Sequence, residues 1–509
     1  MLFDLLLRNA RLAPDAEALV DGDRVLTFGD LLGRVSRLGG ALDGVSAPGD
    51  RVALLSTNRA EFVEAQYAVP CAGRTLVLLN YRLHPREWAG ILRDCGAGVL
   101  IAEPALWSTL SPLADELPAT TTVLFLDDPA AADAHSTTPP SPYAWPTLAD
   151  DDPAFIIYTS GTTGFPKGAV LTHRNVVSAA MMSALDWDLR DDERFLMALP
   201  MCHASGLQTF CYHLRGALIV LMPRYDSGPF LDLVDRHQIT QISLAPTMLA
   251  FLLDDPSLPD RDLSRIRRVG YGGMIMSPDL ARRVMRRIPK PTSGFGQSES
   301  TMMFTRLSAE DHQRALDGEE KLLTSVGRPS PTVRVEILDE DDRPCPPGEI
   351  GELCLAGDTV MRGYWKDEER TAQALRGGWL HTGDLARQED GYIYLVDRKK
   401  DMLISGGQNI YPRELELVML SHPAIRDVAV IGVPDDVWGE SVAAYIVPEP
   451  GAALTEADVI AHTQASLAGY KKPKHVVIVN DLPRNQMGKV VKNTLRQAFA
   501  DQSTPPSPR

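Results

Sequence analysis

Positive charge is in deficit along this 509-residue chain: 67 Asp and Glu face 51 Lys and Arg, for a formal charge of −16 and a pI near 5.2. Proteins that wrap nucleic acid present a basic face, so the balance excludes that class, and any anionic ligand needs a local basic cluster. Cysteine is scarce and scattered. Cys71, Cys95, Cys202, Cys211, Cys345 and Cys354 form no C-x-x-C pair and no His/Cys cluster at metal spacing. That pattern excludes a disulfide scaffold and predicts reduced thiols, most of them plain core residues, in a cytoplasmic protein. Long apolar runs are also missing: no stretch reaches the roughly 18 residues of a membrane span, and the apolar run in MLFDLLLRNA is too short for a signal core and carries Asp4. A cytoplasmic protein without an integral membrane segment is expected.

What remains is ordinary globular material, 44% hydrophobic and 23% charged. The chain exceeds the ~250–300 residues at which single cores stop growing, so at least two lobes are expected. From Arg51 to Glu103 short aliphatic runs (RVALLS, TLVLLN, GVLIAE) alternate with helical patterns (RAEFVEAQYAV, HPREWAGILRDCG), which reads as βαβ units on a parallel sheet. FIIYTS, FLMALP, ALIVLM and ISLAP resume the pattern. Between them Asp127 to Pro146 is rich in Pro, Ser and Ala and reads as a surface connection. Strands separated by Pro/Gly turns from Val333 to Gly357, and again in GYIYLVD, predict a β-rich subdomain. After Lys400 the texture becomes that of a small α+β module. A helix carries Pro412 in its first turn, VAVIGV, VAAYIV and HVVIV read as strands, and Thr455-x-x-Asp458 opens a second helix as a capping box. The tail QSTPPSPR reads as disordered. The expected fold class is therefore α/β, with a large N-terminal domain over 1–398 and a small α+β domain over 399–509.

One segment concentrates chemistry. A strand ending in Thr159 runs into Ser160, Gly161, Thr162, Thr163, Gly164, Phe165, Pro166, Lys167 and Gly168, so hydroxyls, bare backbone amides and one ammonium meet at a strand end. A polyphosphate needs such groups, each charge-assisted bond being worth about 1.5–3 kcal/mol. The segment is not a Walker A loop, because Gly168 stands where Ser or Thr would ligate Mg²⁺. Taken whole, TSGTTGFPKG followed by LTHRN resembles the AMP-binding signature of the adenylate-forming (ANL) superfamily, which includes acyl-CoA synthetases, peptide-synthetase adenylation domains and luciferases. Further motifs extend the resemblance over roughly Leu26 to Arg496.

The resemblance implies an ATP- and AMP-binding site made of Thr159, Ser160, Gly161, Thr162, Thr163, Gly164 and Lys167. To these it adds Gly272, Gly273 and Met274 of GYGGM, and Phe295 and Gly296 of GFGQSES. Glu299 stands at the Mg²⁺-binding position, and Ser298 replaces the usual Thr, keeping the hydroxyl without the restraining methyl. Asp384 of HTGD and Arg398 of VDRKKD match the ribose-binding pair, and Lys489 of PRNQMGKVVK matches the lysine that reaches between the carboxylate and the α-phosphate during adenylation. The small domain of such enzymes rotates about a hinge that falls here on Lys400, and Gly406 and Gly407 would let a pantetheine arm pass close to backbone. Lysines gather near these segments, at Lys167, Lys399, Lys400, Lys471, Lys472, Lys474, Lys489 and Lys492.

For the acid, the resemblance points to His203 in PMCHASG and to Tyr271, Met274, Met276, Phe295 and Met302, with core packing as the competing explanation of the apolar members. Amino-acid adenylation domains hold the substrate ammonium with an Asp at the position that His203 occupies here; an imidazole supplies no such ion pair, which disfavours α-amino acids. The implied function is an ATP- and Mg²⁺-dependent acyl-CoA synthetase acting through an acyl-adenylate, releasing AMP and pyrophosphate, on a hydrophobic aliphatic or aryl acid. Its partners would be that acid, ATP and coenzyme A, in a monomer or homodimer. The alternatives are a ligase that loads the phosphopantetheine of an acyl carrier protein, and an inactive adenylate-binding regulatory protein.

Overall fold

The computed structural model describes residues 1–118, 121–126, 143–159, 166–272, 276, 278–288, 290–484 and 490–503. Most of the 127–146 connection, the core of the glycine/threonine segment (Ser160, Gly161, Thr162, Thr163, Gly164), Gly273, Met274, Lys489 and the last six residues lie outside that set. Contacts divide the chain into two compact units: 1–336 with 354–381 and 390–394, and 337–353 with 382–389 and 395–509.

The larger unit is built on two seven-stranded sheets. The first runs, in order, Pro291–Ser293, Arg268–Tyr271, Gln241–Leu244, Arg194–Met197, Leu218–Leu221, Glu17–Asp21 and Arg24–Thr27, parallel except for the closing hairpin. The second runs Gly363–Tyr364, Lys167–Thr172, Pro153–Thr159, Thr75–Leu79, Arg51–Leu55, Val99–Ala102 and Thr122–Phe125, with its last five strands parallel. The alternation read from Arg51 to Glu103 is thus a true βαβ succession. Helix Ala60–Cys71 is buried on every face, as a helix between two layers must be, and touches strands of both sheets. Its carboxylates are neutralised inside: Arg24, Arg34 and Arg59 hold Glu61, and Arg34 holds Glu64 at 2.6 Å. Helix Pro85–Cys95 begins with a cap from His84 and ends at Gly96 in the left-handed conformation (φ 63°).

The N-terminal run read only as too short for a signal core is an amphipathic helix, Leu2–Leu12, whose Leu2 and Leu6 are fully buried. Of the 127–146 connection, the described end is no loose surface segment: Trp145 packs on Phe3 (4.5 Å between rings) and edge-on to Tyr143 (4.6 Å). Five of the six cysteines are buried free thiols and Cys345 is half-buried. Among the described residues no helix is long and apolar enough to cross a membrane.

In the smaller unit a five-stranded sheet is ordered Gln408–Ile410, Leu403–Ser405, Gly439–Pro448 and Ile425–Asp435, with His475–Ile478 joining Gly439–Pro448 in parallel. Period-two alternation splits its core: Val428 and Val430 face one hydrophobic cluster, Ala429, Ile431 and Val433 the other. Helix Glu456–Ser466 carries the expected capping box, the Asp458 amide donating to Thr455 Oγ1 (3.3 Å) and the Thr455 amide to Asp458 Oδ2 (2.9 Å). The last helix, Lys492–Ser503, runs two residues into the stretch read as a disordered tail.

Burial leaves a mark on acid stability. Desolvation pulls His173, His203 and His213 down to about 4, so each stays neutral inside the fold at pH values where an unfolded histidine already takes up a proton. Unfolding then binds protons between about pH 6.5 and 4, and each such histidine makes stability fall by up to ~1.4 kcal/mol per pH unit as pH drops through that window. A melting curve measured from pH 7.5 to 4 is expected to show this steep loss below 6.5; a flat profile would contradict the buried neutral imidazoles.

Candidate functional site

The glycine/threonine segment hangs from a hairpin of the larger unit. Strands Pro153–Thr159 and Lys167–Thr172 pair antiparallel, with Thr159 opposite Lys167 and Tyr158 opposite Gly168. Glycine is required at 168, since a Cβ there would lie 2.7 Å from Ile156 Cγ2 and 3.1 Å from the Tyr158 ring. The hairpin therefore delivers Lys167 to a defined place. Its Nζ lies 3.0 Å from Glu299 Oε1 and 4.2 Å above the centre of the Tyr364 ring, and it donates to the Tyr364 hydroxyl. That hydroxyl donates in turn to Glu299 Oε1 at 2.8 Å. Burial, and secondarily the Glu299 charge, push the Tyr364 phenol far above its ordinary range, which keeps it a proton donor.

Glu299 is buried in a single 3₁₀ turn, Ser298–Ser300, closed by the Gln297 amide donating to Ser300 Oγ (3.0 Å). Its carbonyl accepts the Met361 amide (2.9 Å), tying the turn to the segment that leads to Tyr364. The next residue, Thr301, has φ +67°, an unfavourable conformation for a β-branched residue. Its fully buried hydroxyl donates to the Thr359 carbonyl at 2.6 Å.

Sequence reasoning found Lys167 and Glu299 separately and missed Tyr364. It lies on a two-residue strand, Gly363–Tyr364, too short for any periodicity, and only its pairing with Val170 and Ala169 brings it to Lys167.

Nearby, segments 294–296 and 302–305 cross so closely that side chains cannot fit. A Cβ on Gly294 would meet the Thr305 carbonyl at 2.1 Å and one on Gly296 the Met302 carbonyl at 2.3 Å. Phe295, half-buried, meets Phe304 edge-on at 5.5 Å, and Ser298 is half-buried. His203 caps the 3₁₀ turn Ala204–Leu207 with its backbone, and among the described residues its ring makes no hydrogen bond. The residues read toward the acid divide. Tyr271 and Met276 belong to the main core cluster, where Tyr271 donates to His312 Nε2 (2.7 Å) while His312 Nδ1 donates to the Ser308 carbonyl (2.6 Å). Met302 is buried with its sulfur 3.7 Å from Cys211 Sγ.

In the smaller unit Arg398 Nε donates to Asp384 Oδ1 at 3.2 Å, next to Gly383 in the left-handed conformation (φ 74°). A carboxylate beside a guanidinium offers an acceptor and donors together, as a vicinal diol requires. Lys400 lies exposed in the turn that follows. Gly406 (φ 55°) and Gly407 (φ 78°) form the two-residue turn between the antiparallel strands Leu403–Ser405 and Gln408–Ile410, which by itself demands positive φ at both positions. The gathered lysines have a structural explanation as well. Lys399 pairs with Glu352 (3.0 Å), Lys471 with Glu414 (2.6 Å), Lys474 with Asp435 (2.5 Å) and Lys492 with Glu416 (2.8 Å), so their clustering is not in itself a phosphate signal.

Among the described residues no group of three or more His, Cys, Asp or Glu could hold a metal. The lone buried carboxylate of Glu299 fits Mg²⁺ in the one form that needs so few protein ligands, an ion whose remaining positions are filled by phosphate oxygens and water.

The chain matches the family "AMP-binding enzyme" over residues 6–365 and "AMP-binding enzyme C-terminal domain" over 414–489. It is 38% identical over 498 residues to feruloyl-CoA synthase of an Amycolatopsis species, covering 97% of this chain and 98% of the relative. It is 35% identical to a medium/long-chain-fatty-acid–CoA ligase of Mycobacterium tuberculosis, covering 94% and 86%. Among solved structures, the o-succinylbenzoate CoA synthetase of Bacillus subtilis bound to its acyl-adenylate superposes with a TM-score of 0.85 at 30% identity, covering 97% and 98%. The same enzyme has also been solved with ATP and a magnesium ion, with a TM-score of 0.84. Sheets, glycine-crossed turns and the Lys167–Tyr364–Glu299 cluster thus belong to a chain related end to end to such proteins: it is a member of the adenylate-forming superfamily of AMP-binding enzymes, in the family of AMP-forming acid–CoA ligases.

Proposed function

We propose that the protein joins an organic acid with an apolar aliphatic or aryl stem to coenzyme A in two steps. In the first, a carboxylate oxygen of the acid attacks the α-phosphorus of ATP, the bond to the β-phosphate bridging oxygen breaks, and acyl-AMP and pyrophosphate result. In the second, the CoA thiol gives its proton to solvent, the resulting thiolate attacks the acyl carbon, and the bond to the AMP phosphate oxygen breaks to release AMP. The observation that carries this reading is the Lys167–Tyr364–Glu299 cluster at the base of the glycine/threonine hairpin.

Lys167 supplies positive charge for phosphate oxygens that gain charge as pyrophosphate departs, and Tyr364 fixes the ammonium and the carboxylate side by side. Mg²⁺ arriving with ATP neutralises phosphate charge, and Glu299 is the residue that would hold it. Asp384 accepts from the ribose hydroxyls with Arg398 as its neighbour, Phe295 offers a ring face to adenine, and Lys489 stabilises charge between carboxylate and α-phosphate. Lys400 acts as hinge between the two steps, and the Gly406–Gly407 turn passes the pantetheine arm.

Acid-dependent ATP–pyrophosphate exchange over short, medium, long-chain, aryl and dicarboxylic acids, followed by CoA-dependent AMP release, tests the reading. Exchange with at least one acid, and thioester formed from free CoA, are expected. Exchange without CoA use would move the acceptor to a carrier protein; no exchange with any acid would leave an adenylate-binding regulatory protein.

A further inference from the structure

On the strand that leads into the segments read as bordering the acid is an arginine with no ion pair among the described residues. Arg268 opens strand Arg268–Tyr271 and is 5% exposed. The strand alternates, so Val269 and Tyr271 enter the main core cluster while Arg268 and Gly270 share the opposite face. The guanidinium folds back along that face over Gly270, where a Cβ would lie 2.5 Å from Arg268 Nη2. Only a glycine leaves room for it.

The guanidinium lies 4.2 Å from the Trp187 ring centre, and its Nε donates to Thr292 Oγ1 at 2.7 Å. Its Nη1 donates to nothing among the described residues. Among the described residues no carboxylate lies at ion-pair distance from it: Asp186, in the same interior, attracts the guanidinium from farther away and accepts from Ser330 Oγ at 2.5 Å. Among the described residues the buried hydroxyl of Thr209 has no hydrogen-bond partner, and that of Tyr212 has the Arg268 guanidinium as its polar neighbour. Both belong to helix Gln208–Leu214, three residues apart and so on one face, and Tyr212 stands beside the guanidinium. A buried guanidinium keeps its proton, and a buried charge is costly unless an opposite charge and hydrogen bonds meet it. Here the guanidinium meets the Tyr212 hydroxyl with no carboxylate at ion-pair distance among the described residues, and Thr209 stands one turn away on the same helix face.

The place is telling. Helix Gln208–Leu214 continues directly from the turn begun by His203, Gly270 immediately precedes Tyr271 and Gly272, and Cys211 of the same helix touches Met302. We infer that Arg268, with the hydroxyls of Tyr212 and Thr209, binds a second carboxylate carried by the substrate at the end remote from the one that is activated. The ligand class is an acid with an apolar or aryl stem and a distal oxyanion. Trp187 covers the guanidinium and keeps water from screening it, and Arg268 is the specificity-determining residue.

This assignment rests on the proposed ligase activity, and one experiment separates the two. ATP–pyrophosphate exchange is measured with acids matched in length, each α,ω-dicarboxylic acid against its methyl-terminated counterpart, and terephthalic against p-toluic acid. Wild type is expected to favour the dicarboxylic member at its best length by about 10²-fold or more in kcat/KM, as sites built around a charged or hydrogen-bonded group do. Arg268→Met should reverse the preference, and Arg268→Lys should keep its direction at reduced size. Should Arg268→Met not fold, Tyr212→Phe and Thr209→Val are each expected to lower the dicarboxylic-to-methyl ratio, with KM for the diacid carrying the change. A wild-type preference for methyl-terminated acids, or variants that slow every acid in equal proportion, would overturn the assignment while leaving the ligase reading intact. Exchange with no acid at all would overturn both.

Discussion

Replacing Lys489 with alanine is expected to lower the rate of acyl-adenylate formation about 10²- to 10³-fold, the usual effect of removing a preorganised donor from developing charge. The same variant should convert chemically prepared acyl-AMP and CoA to thioester at close to the wild-type rate. The asymmetry follows from where charge builds: only the first step brings a carboxylate oxygen against a phosphate, and only that step needs a cation between them. Although Lys489 lies outside the described residues, the base of its loop is closed by described ones, through the bridge of Arg484 to Val490 and the Val491 amide donating to the Pro483 carbonyl (2.7 Å). Lys492, three residues further along the chain, is already committed to Glu416 at 2.8 Å and serves as the control. Its replacement by alanine should leave both half-reactions within a few-fold. Equal loss of both half-reactions in Lys489→Ala would refute the idea that the two steps use different faces of the small domain.

Glu299→Gln is the second large effect. The amide retains the shape of the carboxylate and can still accept from Tyr364, so the 3₁₀ turn should hold; what disappears is the charge opposite Lys167 and the anionic ligand for Mg²⁺. Adenylation is expected to fall by about 10²-fold or more, with the half-saturating Mg²⁺ concentration shifted upward and part of the rate recovered at high Mg²⁺. Turnover of preformed acyl-AMP, in which no pyrophosphate leaves, should change little. A uniform loss at every Mg²⁺ concentration would assign Glu299 to the turn's architecture instead.

How far the molecule could be read from its sequence depends on the range of the interaction concerned. Short aliphatic runs and caps are local, so Arg51–Leu55, Thr75–Leu79 and the Thr455–Asp458 box were all legible, as was the α+β module after Lys400. Helix Leu2–Leu12 was not, because its apolar face makes sense only beneath the packing that covers it. Glu299 could be named from the string around it, yet its partner Tyr364 reaches it through a strand pairing that leaves no trace in spacing. The lysines show the converse: their grouping looked like a phosphate signal and is accounted for by carboxylates that the fold brings to them. Arg268 was invisible as anything but one of three arginines between 265 and 268, since the fold turns Arg267, just before the strand, toward Asp192 and Arg268 into the interior.

The left-handed backbone at Thr301 bears on how this site could change over evolutionary time. At φ +67° and ψ −51° glycine would sit there more comfortably, so the threonine is retained against its own conformational preference, offset by one buried bond to Thr359. A turn held in this way tolerates few neighbouring changes: lengthening 359–361 by even one residue would strip Thr301 of its acceptor and let the adjoining carboxylate drift. Variation among descendants of this chain should therefore accumulate around the acid's far end, where Arg268 and Gly270 can be exchanged together, while Glu299 to Thr301 and Thr359 to Tyr364 change only as a block.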